Sequence, residues 1–188
     1  VEVNDNYMER YSRVFKPTEI KMMLAAFSNI ETVHIAAYAL LLETIGMPDS
    51  EFSAFTQYKE MKDKHDYMQK FGVETDADIL RTVAMFGAFT EGLQLFASFA
   101  MLMNFPRMNK MKGMGQIVSW SVRDESLHCE GMIKVFHTLA AETGDGSPLA
   151  LASAPEIDCF VERMGGAGDP ARLAGEAALR AGAGLVTV

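Results

Sequence analysis

Apolar residues recur at intervals of three and four along most of the chain, which is the pattern of helices that bury one face. The pattern predicts four helices, at about residues 20–45, 50–71, 76–104 and 115–142. The second carries many charges and is expected to lie outside the core, whereas the other three are strongly apolar. Residues 1–7 also have the character of a helix interior, and no stretch alternates with the period of two of a half-buried strand. The sequence therefore predicts an all-α fold.

Helix-breaking residues separate these segments. Pro17 is expected near the first turn of the first helix, and Gly46 ends that helix. Gly72 closes the second helix and Gly144 the fourth. Pro106 is expected to stop the third helix just before it, because a residue that precedes proline disfavours the helical region.

Composition narrows the class of protein. The chain has 188 residues and 49% hydrophobic content, which suits one globular domain with a substantial core. Two cysteines are too few for a disulfide scaffold, and charges interrupt the apolar stretches, so a soluble, cytoplasmic protein without a membrane partner is expected. A net charge of -8 without basic clusters argues against a nucleic-acid partner.

The composition changes near the end of the last predicted helix. Residues 143–188 are rich in Gly, Ala and Pro, contain one aromatic residue and lack histidine, and glycine at this density opposes stable helices. We therefore divide the chain into a helical domain, residues 1–142, and a divergent tail, residues 143–188, to which no chemistry is assigned. The abrupt start at Val1 suggests a domain truncated at its N-terminus.

Two histidines follow a glutamate by three positions, in Glu31-x-x-His34 and Glu125-x-x-His128, and both pairs fall on strongly apolar helices. This spacing puts the carboxylate and the imidazole on the same helical face. A buried carboxylate is costly unless something pairs with it. Two Glu-x-x-His helices, with single glutamates from two further helices, are the pattern of dinuclear carboxylate bundles. Each pair is therefore predicted to supply half of a dinuclear metal site.

The third helix offers one further carboxylate. Glu91 is the only acidic residue within residues 82–106, and its neighbours are mostly Phe and Leu. It is predicted to be the third carboxylate of the site. The pattern requires a fourth from a helix that precedes the first pair, where only Glu2, Asp5 and Glu9 occur.

Each of these groups has a simpler interpretation when it is taken alone. A single core histidine is more often hydrogen-bonded than metal-bound, and Glu91 could pair with a lysine. Five such groups on apolar helices, in the expected order, favour a metal site. Oxygen-rich ligation with one imidazole per ion suits Fe or Mn better than zinc. His65 and His137 lack a glutamate three residues before them and are interpreted as surface or packing residues.

Tyr38 lies one turn after His34 on the same stripe, so its ring is expected close to the metal site. The simpler alternative is a core tyrosine whose hydroxyl bonds a nearby carboxylate. The segments I-E-T-V-H-I-A-A-Y, F-T-E-G-L-Q-L-F-A-S-F-A-M-L and S-V-R-D-E-S-L-H-C-E-G resemble the small, radical-generating (beta) subunit of class I ribonucleotide reductase. The resemblance covers residues 1–142 and implies a ferritin-like helical bundle with a dinuclear metal site in its core.

The resemblance also implies roles for individual residues. Tyr38 would hold the stable radical, and Asp124 would bond the ligand His34 on the route by which the radical leaves. Leu95 and Phe99 would belong to the apolar pocket around the radical. The ligands of two Fe ions, with Mn as the alternative, would be Glu31, His34, Glu91, Glu125 and His128.

Three departures from the family pattern stand out. The first carboxylate ligand of the family would fall immediately before Val1, and Glu2 is a poor substitute. The tryptophan of the radical path would also precede Val1, and Trp120 does not match its position. The tail after Thr143 resembles neither the remaining helices of the family nor its docking tail.

The function expected from the resemblance is that of a ribonucleotide reductase small subunit. Its dinuclear site would activate O2 and oxidise Tyr38, and the radical would pass through His34 and Asp124 to the large, catalytic subunit. The expected partners are that large subunit and a second copy of this chain in a homodimer. Two alternatives stay open: a ferritin-like di-iron oxidase or oxygenase, and a catalytically defunct small-subunit paralogue.

Overall fold

The computed structural model describes residues 2–143, and every regular element in that range is helical. The all-α, ferritin-like fold predicted from the sequence is confirmed, since no strand occurs among these residues. The predicted tail lies outside the described residues, apart from Thr143, which is the last residue of the final helix.

Helices α1 and α2 form the N-terminal part of the bundle. Helix α1, residues 2–14, joins the turns Glu2–Asp5 and Ser12–Val14 through a π-helical segment, Asn6–Tyr11. The helical character expected of the first residues is thus confirmed. Helix α2, Thr18–Ile45, begins directly after a proline and has the predicted bounds.

Helix α2 ends at Gly46, which adopts a left-handed conformation with φ of 79°. The amide of Gly46 donates to the carbonyl of Glu43 at 3.0 Å, and that of Met47 donates to Leu42 at 3.0 Å. A residue with a Cβ would be strained at this φ, whereas glycine is not. The predicted stop signal is confirmed.

The second predicted helix is divided in two. A 3-10 helix spans Asp49–Gln57, Tyr58 is extended with ψ of 120°, and helix α3 follows at Lys59–Met68. Serine hydroxyls that bond local carbonyls compete with a regular α-helix in the first half, as Ser53 does with the carbonyl of Ser50. Lys59, Lys62 and Asp66 of α3 are exposed, as expected for a helix outside the core, but its last residue, Met68, is buried in the core.

Helix α4, Asp76–Arg107, carries an 11-residue π-helical segment, Ala84–Gln94. Its first turn is closed by a capping box between Thr75 and Asp78, at the predicted start. The predicted stop before Pro106 is wrong by one turn, because Pro106 lies inside the short helical turn Asn104–Arg107. Proline is tolerated there because a first turn has no intrahelical partner for its amides. The flanking α-helical parts are Asp76–Val83 and Leu95–Leu102.

Helix α5, Lys112–Thr143, packs along α4 and α2. Two glycines permit the close approach. A Cβ placed on Gly87 of α4 would lie 2.7 Å from the Cβ of Met132, and one on Gly131 would lie 2.8 Å from the ring of Phe27. The backbones of α2, α4 and α5 are therefore close together at the level where the predicted metal ligands lie.

Three apolar clusters form the core. The largest joins α1, α2, α4 and α5 and includes Tyr7, Tyr11 and Phe27. A second holds Met68 against the π-helical segment of α4, and a third surrounds Phe99. All five predicted ligands are among the buried polar or charged side chains of the described residues.

Two helices, Thr18–Ile45 and Asp76–Arg107, are long and apolar enough to cross a membrane by length and composition. In the second, 61% of the apolar window is buried inside the protein, which is a property of core helices in soluble proteins. The first carries Glu31 and His34 on its buried face. The soluble character expected from the sequence is consistent with this burial, and the cytoplasmic location stays a prediction.

Candidate dinuclear metal site

Three helices direct five ionisable side chains into the interior. Helix α2 supplies Glu31 and His34, helix α4 supplies Glu91, and helix α5 supplies Glu125 and His128. All five are buried, and His128 is fully so. Because the i, i+3 spacing keeps each pair on one face, the two Glu-x-x-His motifs face each other across the bundle.

Glu91 reaches this centre from the π-helical segment of α4. Thr90 beside it donates its hydroxyl to the carbonyl of Met85 at 3.1 Å, five residues earlier. The wider turn of a π-helix shifts the following residues around the helix axis, and such segments often occur at functional sites. The segment thus contributes to the position of a carboxylate that is only 1% exposed.

Four of the five side chains form a compact donor cluster. Glu31, Glu91, Glu125 and His128 each offer one ligand atom, and these atoms all lie within 4.8 Å of one another. His34 adjoins the cluster, since its Nδ1 is 3.1 Å from Oε1 of Glu125 and 3.6 Å from Oε1 of Glu31. The five predicted side chains therefore meet at one point in the core.

Two carboxylates lie between the two imidazoles. Nδ1 of His128 is 3.2 Å from Oε1 of Glu31 and 3.6 Å from Oε2 of Glu125, the same two glutamates that contact His34. The ring centroids of the histidines are 6.3 Å apart. Glu91 is on the His128 side, with its Oε1 3.9 Å from Nδ1. Shared glutamates between two terminal imidazoles are the arrangement that a pair of ions requires.

The buried polar atoms of the cluster lack hydrogen-bond partners of good geometry. Among the described residues this is true of Oε1 of Glu31, Oε2 of Glu91, Oε2 of Glu125 and both ring nitrogens of His128. Buried polar atoms are nearly always satisfied, so several orphans at one point need an explanation. Carboxylate oxygens and imidazole nitrogens are good ligands for Fe and Mn. The donor set fits a dinuclear metal centre.

Opposite charges stabilise the cluster when no cation is bound. Burial opposes the charged ring of His34, but the carboxylates of Glu125 and Glu31 outweigh it and raise the pKa of His34 to about 10. The same balance raises the pKa of His128 to about 9. Burial opposes ionisation of Glu31 as well, yet the two imidazoles lower its pKa to about 2. Burial and the charge of Glu125 raise the pKa of Glu91 well above its usual value. Metal ions would therefore have to displace protons from the rings.

Asp124 contacts His34 on the side away from the cluster. Its Oδ2 is 3.3 Å from Nε2 of His34, and its Oδ1 accepts from the Arg123 guanidinium at 3.1 Å. Arg123 is largely exposed and Asp124 partly so. The contact predicted between His34 and Asp124 is thus present, and it leads from the buried centre towards the surface.

Tyr38 donates its hydroxyl to Oγ of Ser121 at 3.0 Å. The predicted alternative of a carboxylate partner is therefore wrong. Ser121 lies one turn before Glu125 on α5, so Tyr38 borders the metal cluster without entering it. Its ring packs in the cluster of Phe99 with Leu95, as predicted for both residues. Burial raises the pKa of Tyr38, the hydrogen bond with Ser121 lowers it, and the charge of Glu125 raises it.

Comparison with known proteins identifies the family of this chain. A family model described as ribonucleotide reductase, small chain, matches residues 1–148. The chain belongs to the ribonucleotide reductase small-chain family. The resemblance read from the motifs is confirmed by this match, which covers more than three quarters of the chain.

Named members of the small-chain family are similar in sequence to this chain over most of its length. A probable ribonucleoside-diphosphate reductase small subunit of Invertebrate iridescent virus 6 is 45% identical over 161 residues, which covers 77% of this chain and 45% of the viral protein. A similar protein of Invertebrate iridescent virus 3 is 40% identical, covering 76% and 42%. The small chain of Spisula solidissima is 27% identical, covering 73% and 36%. The chain spans less than half the length of these relatives.

The acidic residues of α1 do not complete the site. Glu2 pairs with Nδ1 of His65, and Asp5 and Glu9 are exposed. Glu2 is thus engaged elsewhere, in agreement with its prediction as a poor substitute for the family's first carboxylate. His65 has this carboxylate partner, and His137 packs its ring against Phe136, consistent with their interpretation as surface or packing residues.

The sequence analysis missed Tyr7, which contacts the cluster. Tyr7 in α1 is 1% exposed and donates its hydroxyl to Oε1 of Glu91. Tyr7 and Tyr11 lie four residues apart and therefore on one face of a helix, directly before the first Glu-x-x-His helix. That aromatic pair is the sequence feature that could have indicated a contact between α1 and the site. Trp120, which does not match the position of the radical-path tryptophan of the family, is largely exposed.

Proposed function

We propose that this chain is the metal-binding, radical-generating part of a ribonucleotide reductase small subunit. The observation that carries the proposal is the convergence of two Glu-x-x-His pairs and a third glutamate on one buried centre in a member of this family. In this proposal two ions, Fe with Mn as the alternative, are held by Glu31, His34, Glu91, Glu125 and His128.

Tyr38 is the residue proposed to hold the radical. When bound, two redox-active ions would supply the activation of O2, whose reduction to water takes four electrons: two from the ions, one from the Tyr38 phenol and one from an external one-electron reductant. The phenol has to release its proton at the same time, and Ser121, whose Oγ accepts the phenol's hydrogen bond at 3.0 Å, can relay that proton by passing its own to a base beyond it. Phe99 and Val118, both buried, are in the same apolar cluster. Such an environment excludes water and the reductants that would quench a radical.

His34 and Asp124 are proposed to form the exit route. They are the pair of contacting side chains that connects the centre with the partly exposed surface near Arg123. Asp124 also orients the imidazole, because a carboxylate bonded to one ring nitrogen fixes which nitrogen faces the metal. The radical would pass from here to the large subunit, where ribonucleotides are reduced to deoxyribonucleotides.

The surface of α2 and α5 supports a protein partner. Several large apolar side chains are exposed there, including Val33, Leu40, Trp120 and Leu127. Contiguous exposed apolar patches mark interaction surfaces, and the i, i+7 spacing puts Val33 with Leu40 on one face of α2 and Trp120 with Leu127 on one face of α5. We propose that they serve assembly with the large subunit and with a second copy of the chain.

Electron paramagnetic resonance of the full-length gene product tests the proposal. After anaerobic loading with Fe(II) and exposure to O2, the wild type is expected to give a tyrosyl-radical signal. Tyr38→Phe should abolish it, and Tyr67→Phe, which alters another partly buried tyrosine, should retain it. A signal that survives in Tyr38→Phe refutes the assignment. Iron binding without any radical would favour the ferritin-like oxidase instead.

A further inference from the structure

Tyr7 joins helix α1 to the metal cluster through one hydrogen bond. Its hydroxyl donates to Oε1 of Glu91, and both side chains are 1% exposed. The phenol carries no charge, so the bond stabilises the carboxylate as an anion without neutralising it. It is the one hydrogen bond to the Glu91 carboxylate that the structure shows within residues 2–143. The other oxygen, Oε2, has no partner there.

Aromatic contacts fix the ring of Tyr7. Its centroid lies 5.8 Å from that of Phe27 and 6.1 Å from that of Tyr11. It also meets the His128 ring edge-on at 6.0 Å. A ring packed on three sides has little rotamer freedom, so its hydroxyl is held in place. Tyr7 thus contacts two predicted ligands, Glu91 and His128, which both belong to the same half of the site.

We propose that Tyr7 is a positioning residue for the half of the metal site formed by Glu91 and His128. Its hydroxyl donates a hydrogen bond to Oε1 of Glu91, whose Oε2 has no partner among residues 2–143. Asp124 has the corresponding place at the other half, where it contacts Nε2 of His34. The two halves are thus oriented by chemically different groups, a neutral phenol and a carboxylate. The inference rests on the proposed function, because it assumes that the cluster binds ions.

The chain offers a matched control for Tyr7. Tyr11 follows one turn later, is 0% exposed, and donates its hydroxyl to the backbone carbonyl of Thr82 at 3.1 Å. Tyr7→Phe and Tyr11→Phe each remove one buried hydroxyl and keep the ring. They differ in that one hydroxyl bonds a predicted ligand and the other bonds the backbone.

The test is calorimetric titration of the metal-free full chain with Mn(II). Tyr7→Phe should weaken one binding step about tenfold to a hundredfold, the range for groups that orient metal ligands. Tyr11→Phe should leave both steps within about twofold of wild type by the same reasoning. Wild-type affinities in Tyr7→Phe, or equal losses in the two variants, overturn the inference. A wild type that binds no Mn(II) overturns the proposed metal site, and the inference falls with it.

A second measurement needs no substitution and applies if Tyr7→Phe does not fold. The hydroxyl proton of Tyr7 in the wild-type protein is followed by nuclear magnetic resonance while diamagnetic Zn(II) is added. Its resonance should shift on binding, because the carboxylate it bonds becomes a metal ligand, and the resonance of the Tyr11 hydroxyl should stay in place. An unmoved Tyr7 signal at saturating Zn(II) contradicts a positioning role.

Discussion

Nε2 of His34 lies 3.3 Å from Oδ2 of Asp124, while Nδ1 of the same ring lies 3.1 Å from Oε1 of Glu125. One imidazole therefore connects the buried cluster with a carboxylate that reaches the surface. The two contacts fix the ring at both nitrogens. A substitution of Asp124 should therefore change the metal affinity of the site, although it removes no predicted ligand.

We expect Asp124→Asn to weaken metal binding about tenfold to a hundredfold, because the amide keeps the shape of the side chain but loses the charge that orients His34. Mn(II) titration measures the effect. Asp66→Asn is the control, since Asp66 is an exposed acid that pairs with Lys62 far from the cluster in sequence. Equal affinities in the wild type and Asp124→Asn would show that the contact does not orient the ligand.

The carboxylates are distributed unevenly between the two histidines. Glu31 and Glu125 contact both rings, whereas Glu91 contacts His128 alone. The ion on the His34 side is therefore expected to be under-coordinated by this chain. Elemental analysis after anaerobic Fe(II) loading and exposure to O2 should find fewer than two ions per chain.

Two further variants identify the half of the metal site that binds its ion with the lower affinity. His128→Ala should abolish the tighter binding step, and His34→Ala should leave it nearly unchanged. Two ions bound with equal affinity by the wild type, or the reverse order of effects in the two variants, would contradict the assignment of Glu91 to the His128 side.

The phenol of Tyr38 should stay protonated above the pH at which an exposed tyrosine titrates, because burial raises its pKa. The unfolded chain loses this proton near pH 10, before the folded chain does. The stability that Tyr38 contributes is thus present below about pH 10 and is lost as the pH rises through the folded-state pKa. Absorbance at 295 nm measures tyrosinate directly. Up to pH 10 the titration curve of folded Tyr38→Phe should overlay that of the wild type, and a smaller amplitude in the variant would refute the prediction.

Gly87 controls how closely α4 approaches α5. Gly87→Ala should destabilise the fold by about 1–3 kcal/mol, since the new methyl group would lie 2.7 Å from the Cβ of Met132, which no side-chain rotation can move. Gly113→Ala is the matched control, because nothing lies within 4 Å of its Cβ position. It should be neutral or stabilising by up to about 1 kcal/mol, since Ala favours a helix over Gly. Chemical denaturation followed by circular dichroism compares the two, and equal stability in both variants would exclude the close approach.

The sequence was sufficient to predict the helices of the fold whose apolar residues recur with a strong period. Helix α2 and the long part of α5 follow from apolar periodicity with clear stop signals, and Gly46 acts as predicted. The break at Tyr58 was not predictable, because no Gly or Pro occurs within residues 49–71 to mark it. The turn through Pro106 was missed because a new helical turn starts just before it.

The site was predictable where its residues follow a local rule. Both Glu-x-x-His pairs depend only on helical spacing, and Glu91 was indicated by the cost of an unpaired acid in an apolar helix. Tyr7 could not be placed in the same way, because its contact with Glu91 joins residues 84 positions apart. The wider helical turn around Glu91 also has no signature in the hydrophobic pattern.

The most direct test of the central claim is anomalous X-ray scattering from crystals of the protein loaded with Mn(II) or Fe(II). The account predicts two peaks about 4 Å apart or less, as in other two-metal sites, between the Glu31–His34 and Glu125–His128 pairs, with the weaker peak beside His34. Peaks elsewhere, or none among these five side chains, would contradict it.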